Sequence, residues 1–284
     1  MLAQEITQSV KIALDEDLNG LSALQGDISA NLIPQEKQAK AVVITREDIV
    51  FCGRAWAQEV FKQLGNQAQI TWFVEDGDVV KANNQLCSIE GPARTLLTGE
   101  RSALNFIQTF SGIATKVKRY SDLISATDCK LIDTRKTIPG LRNASKYAVV
   151  CGGGVNHRMG LYDAYLIKEN HIAACGGIQS AVKMAKIQRP GILVEVEVES
   201  ITEFKQALNA GAERIMLDNF TIAMMHEAVS INRKNPNYNA ALEVSGNVNS
   251  QTIQSYATTG VDYISVGALT KHIHAVDLSM RFVD

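Results

Sequence analysis

From Cys129 to Gly267 the chain alternates short apolar runs with longer helical ones, and that rhythm leaves few folds open. The runs CKLID (Cys129–Asp133), DAYLIK (Asp163–Lys168), ILVEVEV (Ile192–Val198), ERIMLD (Glu213–Asp218), ALEVS (Ala241–Ser245) and DYISVG (Asp262–Gly267) are separated by stretches such as IQSAVKMAKIQ, ITEFKQALNAG, TIAMMHEAVSIN and NSQTIQSYATTG. Strand and helix repeating at this spacing call for parallel strands joined by right-handed crossovers. The apolarity of the runs fits a sheet covered on both faces. Six strands are visible, which does not by itself establish a closed eightfold barrel.

The polar residues gather where such a fold collects its ligands. Asp133 and Arg135 follow the first run, Lys168 ends the second, Glu197 lies near the end of the third and Asp218 ends the fourth. Ser245 and Gly246 end the fifth, and Gly267 ends the sixth. In an α/β barrel those ends converge on one mouth. Residues remote in sequence should therefore share one pocket.

Residues 1 to about 112 follow a different pattern. Leu2, Ile6, Val10 and Leu14 have helical spacing, AKAVVITRE (Ala39–Glu47) alternates as a strand, and AWAQEVFKQLG (Ala55–Gly65) is helical. QITWFVEDGDVV and QLCSIEG supply short strands, with turns expected at Asp76-Gly77 and Gly91-Pro92. A long helical pattern starts at Pro92, with a break expected at Ser111-Gly112 before IATKVKRYSDLISAT resumes it. This part reads as an α+β unit. The opening helix lacks the apolar block of a signal peptide, and no run is long enough to span a bilayer. A soluble, unprocessed protein with no membrane partner is the expectation.

Charge narrows the class of partner. Against 30 Asp and Glu stand only 28 Lys and Arg, whereas a nucleic-acid binder carries a basic bias over a whole face. The stretch from Asp133 to His171 nevertheless concentrates Arg135, Lys136, Arg142, Lys146, His157, Arg158 and Lys168. A local cationic pocket for a small polyanion is the better reading, because Arg matches a carboxylate or phosphate with a planar fork and Lys adds a mobile point charge. Each charge-assisted hydrogen bond contributes about 1.5–3 kcal/mol, so several hold a dianion firmly. For Arg142 and Lys146, on the helical stretch LRNASKYAVV, a solvated helix face competes with ligand binding.

Other features admit two readings. Glu197 and Asp218 end neighbouring strands and suit Mg²⁺, which takes carboxylate oxygens, waters and substrate phosphates; salt bridges to nearby lysines would serve the same residues. Glu195 should share the face of Glu197. Ser245–Asn247 and Ser265–Ala268 end late strands running into helix starts, the place many barrels hold a phosphate. Gly152–Gly154 either cradle a phosphate or form a tight turn, and FVEDGDVV reads as a hairpin turn. KHIH (Lys271–His274) lacks further metal ligands nearby. Lys168 could alternatively form a Schiff base, as in an aldolase. Five scattered cysteines without C-x-x-C spacing argue against a disulfide framework and for a reducing cytoplasm.

GERSALNFIQTFSGIAT, DTRKTIPGLRNASKYAVVCGGGVNHRMGLYDAYLIKENHI, VEVEVES, IMLDNF, LEVSGNV and DYISVGALTKH occur in this order. Together they resemble the bacterial quinolinate phosphoribosyltransferase family over nearly the whole chain. The resemblance implies an open α/β barrel at residues 113–269 and an N-terminal α/β sandwich at 1–112, completed by the tail 270–284. It also implies a cytoplasmic homodimer with a shared active site, in which Arg101 reaches the partner's quinolinate. The implied reaction joins quinolinate to phosphoribosyl pyrophosphate with Mg²⁺, releasing pyrophosphate and CO₂.

By motif position, Arg135, His157, Arg158 and Lys168 are expected on the quinolinate carboxylates, with Thr134 beside them and Lys136 near both substrates. Glu197 and Asp218 are expected on the ribose hydroxyls and the metal, and Ser245, Gly246, Asn247, Val266, Gly267 and Ala268 by the 5′-phosphate. Lys136, Lys168, Glu197 and Asp218 form the expected catalytic set. A related phosphoribosyltransferase of molybdenum-transport operons is the nearest alternative.

Overall fold

Regular alternation of side chains on parallel strands positions everything described below. The computed structural model describes residues 2–236 and 238–283. In chain order its elements begin with α1 (Leu2–Leu18), α2 (Ala23–Gly26), β1 (Gln38–Thr45), β2 (Ile49–Val50), α3 (Arg54–Gln63), β3 (Gln69–Trp72), β4 (Val79–Val80), β5 (Gln85–Pro92) and α4 (Ala93–Leu123). Next come β6 (Lys130–Ile132), α5 (Arg142–Cys151), β7 (Tyr165–Ile167), α6 (Glu169–Ala174), α7 (Ile178–Gln188), β8 (Val194–Val198), α8 (Ile201–Asn209) and β9 (Arg214–Asp218). The last are α9 (Ile222–Lys234), β10 (Ala241–Ser245), α10 (Ile253–Ala257), β11 (Tyr263–Ser265), α11 (Ala268–Lys271) and β12 (Leu278–Val283).

The chain divides into two units. The first comprises residues 1–118, 137–153 and 269–284; the second comprises 119–136 and 154–268. In the first, a four-stranded antiparallel sheet has the order β12-β1-β5-β3. Trp56 and Phe110 are buried and meet edge to face with ring centroids 4.7 Å apart, a geometry that adds to the burial of both rings.

Several local expectations for this unit change. Helix α4 runs unbroken through Ser111-Gly112. Gly112 is there because a Cβ would lie 2.1 Å from the His274 carbonyl oxygen, so the glycine marks close packing and not a helix end. Gly91 and Pro92 finish β5 instead of forming a turn. FVEDGDVV is not a hairpin, since β3 pairs with β5 and β4 with β2. Its Asp76 carboxylate instead accepts the Gly53 and Arg54 amides at 3.0 and 3.2 Å, at the start of α3. Lys146, read as a candidate for a solvated face, is fully buried.

The second unit holds a six-stranded parallel sheet in the order β6-β11-β10-β9-β8-β7. Among the described residues its outer strands, β6 and β7, are not paired, so the sheet is open and not a closed barrel. One cavity nevertheless takes residues from the ends of all six strands, which requires the sheet to curl. On β8 the valines 194, 196 and 198 are fully buried and alternate with Glu195 and Glu197. The period of two sends one set to the helices and the other to the cavity side.

Gly112→Ala should lower the unfolding free energy by about 1–3 kcal/mol, the usual cost of overpacking. Urea unfolding measures this, and an unchanged midpoint would contradict the packing assigned to Gly112.

Candidate active site

Strand register assembles the site in two layers. Glu195 lies beside Leu166 and Arg214, Glu197 beside Met216, Met216 beside Glu243, Asp218 beside Ser245, and Glu243 beside Tyr263. Residues two apart on each strand face the same way. The upper positions therefore present Glu197, Asp218, Ser245 and Ser265 to a cavity of about 460 Å³, with Leu166, Met216 and Glu243 deeper in its wall.

The cations come from the segments after β6 and around β7. Thr134, Arg135 and Lys136, then His157, Arg158 and Lys168, line the same cavity. Arg135 carries a buried Nε without a hydrogen-bond partner. Burial, and next the charge of Arg135, pull the proton affinity of Arg158 below its ordinary value. Two guanidinium groups thus face one space and oppose each other, an arrangement that an anion between them would relieve. Lys168 is ion-paired with Glu197, so one of the salt bridges weighed in the sequence does form.

The strand-end loops are tied together by short polar contacts. A Cβ on Gly267 would stand 3.0 Å from Lys136 Cδ and 3.5 Å from Thr134 Oγ1, so Lys136 lies across the loop after β11. Gly246 has φ +92°, and a Cβ there would be 2.2 Å from Asn219 Oδ1. Asn219 donates from Nδ2 to Asp218 (2.8 Å) and accepts from Asn247 Nδ2 (3.4 Å). Gly246, Asn247, Val266, Gly267 and Ala268 flank the cavity residues Ser245 and Ser265 in sequence but do not line the cavity.

Ser265–Ala268 runs directly into α11, as expected, whereas five residues separate Asn247 from α10. Gly152 is closely packed. A Cβ there would lie 2.4 Å from the Ala114 carbonyl oxygen. Arg101 is an exposed residue of α4, in the first unit.

Glu243 was not singled out in the sequence, although its place in ALEVS repeats the alternation of VEVEV. With Glu195 it forms a buried acidic pair around His157. Nε2 of His157 is 2.9 Å from Glu195 Oε2 and 3.3 Å from Glu243 Oε2, and Arg214 Nη1 is 3.6 Å from Glu243 Oε2. Burial alone would depress the proton affinity of His157; contacts with Glu195 and Glu243 overcome it and raise the pKa to about 9. Burial and then the charge of Glu243 push Glu195 up to about 7.

Two protons on the imidazole conflict with the Arg158 backbone N–H, which donates to Nδ1 at 2.7 Å. We therefore place the ring proton on Nε2 and the additional proton on the carboxylate pair, since titration belongs to the cluster as a whole.

Oxygen donors from Glu197 and Asp218, on adjacent strands at an accessible cavity, fit the preferences of Mg²⁺. His157, Glu195 and Glu243 also bring three ligand-type atoms within 4.8 Å. Arg214 and the shared protons already offset charge in that buried group.

Comparison with known proteins gives a consistent picture. Residues 27–111 match the model for the quinolinate phosphoribosyl transferase N-terminal domain, and residues 113–281 match that for its C-terminal domain. The chain is 40% identical over 257 residues to a Bacillus subtilis protein named "Probable nicotinate-nucleotide pyrophosphorylase (carboxylating)", covering 90% of this chain and 87% of that one. It is 37% identical to the mitochondrial quinolinate phosphoribosyltransferase (decarboxylating) 2b of Nicotiana tabacum, covering 98% and 82% of the two chains. The solved nicotinate-nucleotide pyrophosphorylase of Francisella tularensis superposes with a TM-score of 0.94 at 48% identity, covering 99% and 97%.

The raised Glu195 pKa has a definite sign in folding. Its ordinary value is 4.5 and its folded value about 7, so between them the folded state keeps a proton that the unfolded chain has released. Stability from this group is present below pH 4.5 and is lost as pH rises through about 7. Glu195→Gln should gain stability relative to wild type between about pH 5 and 8 in chemical denaturation. A constant difference across that range would remove the proton from Glu195.

Proposed function

The chain belongs to the quinolinate phosphoribosyltransferase family, and on that basis we propose how the cavity residues divide its reaction. The protein is a decarboxylating quinolinate phosphoribosyltransferase, a pentosyltransferase of NAD biosynthesis. It joins quinolinate to phosphoribosyl pyrophosphate and yields nicotinate mononucleotide, pyrophosphate and CO₂.

The observation that carries the assignment of residues is the pair Arg135 and Arg158, which line one cavity close enough for the charge of one to depress the proton affinity of the other, with the Arg135 Nε unpaired. Two planar guanidinium forks suit the two carboxylates of quinolinate. Lys168 completes this receptor, and His157 supports it from below. Thr134 and Lys136 occupy the junction with the second substrate. The Ser245–Asn247 and Val266–Ala268 loops receive the 5′-phosphate, and Glu197 and Asp218 hold the ribose hydroxyls.

The chemistry follows from charge. Positive charge develops on the ribose as pyrophosphate leaves, next to the carboxylates of Glu197 and Asp218. Lys136 and Lys168 offset negative charge on the departing group and on bound quinolinate. The pyridine nitrogen then bonds to the ribose carbon. Its quaternised ring stabilises the electron pair left at the ring carbon when the adjacent carboxylate departs as CO₂, and a proton replaces that carboxylate. Mg²⁺ held by Glu197 and Asp218 would supply further charge neutralisation for pyrophosphate.

The exposed position of Arg101 on α4 supports a role outside its own cavity. We assign it to the quinolinate site of a second copy in a homodimer. All five cysteines are free, which supports the cytoplasm as the working compartment.

Arg135→Ala and Arg158→Ala should each raise the quinolinate KM by about tenfold or more, the loss of one charge-assisted interaction, while changing the phosphoribosyl pyrophosphate KM little. Steady-state kinetics with pyrophosphate and CO₂ quantified together, with and without Mg²⁺, tests the reading. Wild-type kinetics in both variants would refute the receptor, and release independent of Mg²⁺ would refute the metal assignment. Mixing inactive Arg101→Ala with inactive Lys168→Ala protein should restore part of the activity through hybrid dimers. No recovery after confirmed subunit exchange would contradict the shared site.

A further inference from the structure

Arg158 lies on a segment that no regular element holds. Between the single bridge from Val155 to Ile132 and the start of β7 at Tyr165, the backbone is irregular. Side chains fix it instead. Asp163 accepts the Met159 and Gly160 amides at 2.7 and 3.0 Å, and Asp133 accepts the His157 amide at 2.9 Å. The Arg158 amide is taken by the His157 ring at Nδ1. On its far side the ring's Nε2 makes contacts of 2.9 Å to Glu195 and 3.3 Å to Glu243, on strands β8 and β10 of the sheet. Arg214, whose guanidinium lies 4.3 Å from the Tyr263 ring centre, backs Glu243 from β9.

We propose that Glu243 is a positioning residue of the quinolinate site: through His157 it fixes the Arg158 backbone and thereby aims the Arg158 guanidinium at the substrate. The inference rests on the reading of the cavity as the quinolinate receptor. A buried acid of this kind needs an explanation, because charge compensation by Arg214 alone would be equally met by two apolar residues. What an apolar pair cannot do is hold an imidazole whose other nitrogen carries the loop. Arg158 Nη1 also donates to the Ala164 carbonyl at 3.2 Å, and the rigid strands add their precision at the other end of the residue, its backbone, as a preorganised site requires.

A merely structural role for Glu243 would affect both substrates alike. The relay predicts a split. Glu243→Gln should raise the quinolinate KM by about tenfold and leave the phosphoribosyl pyrophosphate KM within about twofold. In an Arg158→Ala background the same change should add less than about twofold, because the residue through which it acts is gone. Equal shifts in both KM values, or fully multiplicative effects in the double variant, would overturn the relay. An Arg158→Ala protein with wild-type quinolinate KM would overturn the receptor reading and the relay together. A raised KM in Arg158→Ala with none in Glu243→Gln would overturn the relay alone. If thermal unfolding shows that Glu243→Gln does not fold, Glu195→Gln carries the same cycle from the other carboxylate.

Discussion

Two carboxylates buried beneath a cationic cavity constrain everything above them. Glu195 and Glu243 are completely out of solvent, and an uncompensated charge at such a site costs several kcal/mol. The fold answers with Arg214, with the His157 ring and with a raised proton affinity at Glu195. Each answer fixes something else: Arg214 is held against Tyr263, and His157 is held under Arg158. The acidic floor therefore organises a basic surface.

The same alternation that makes the sheet makes the site. Val194, Val196 and Val198 supply the apolar face that parallel strands need, while Glu195 and Glu197 between them descend from the cavity to its floor. Strands β9 and β10 repeat the scheme with Arg214, Met216 and Asp218 and with Glu243 and Ser245. A register slip of one residue would send the acids into the helix-covered face and the apolar residues into the cavity. Fold and chemistry are thus specified by one pattern.

That pattern sets how much of the fold and site is legible in the sequence. The strand ends and their polar residues were legible because parallel topology forces remote ends together, and Arg135, Arg158, Lys168, Glu197 and Asp218 do line one cavity. Glu243 escaped notice because its strand is otherwise apolar and nothing local marks an acid that pairs across the sheet. Asn219, joining Asp218 to Asn247, was hidden for the same reason. Gly112 looked like a helix break, yet its role depends on His274, more than 160 residues away in sequence. Lys146 looked solvated because helical spacing reports which residues share a face, and not what packs on it.

The central claim is that Arg135 and Arg158 form a receptor for two carboxylates. Calorimetric titration of the wild-type protein with quinolinate and with nicotinate, which lacks the second carboxylate, tests it directly. Quinolinate should bind at least about tenfold more tightly, as expected for the loss of one charge-assisted contact. Equal affinity for the two ligands would contradict the account.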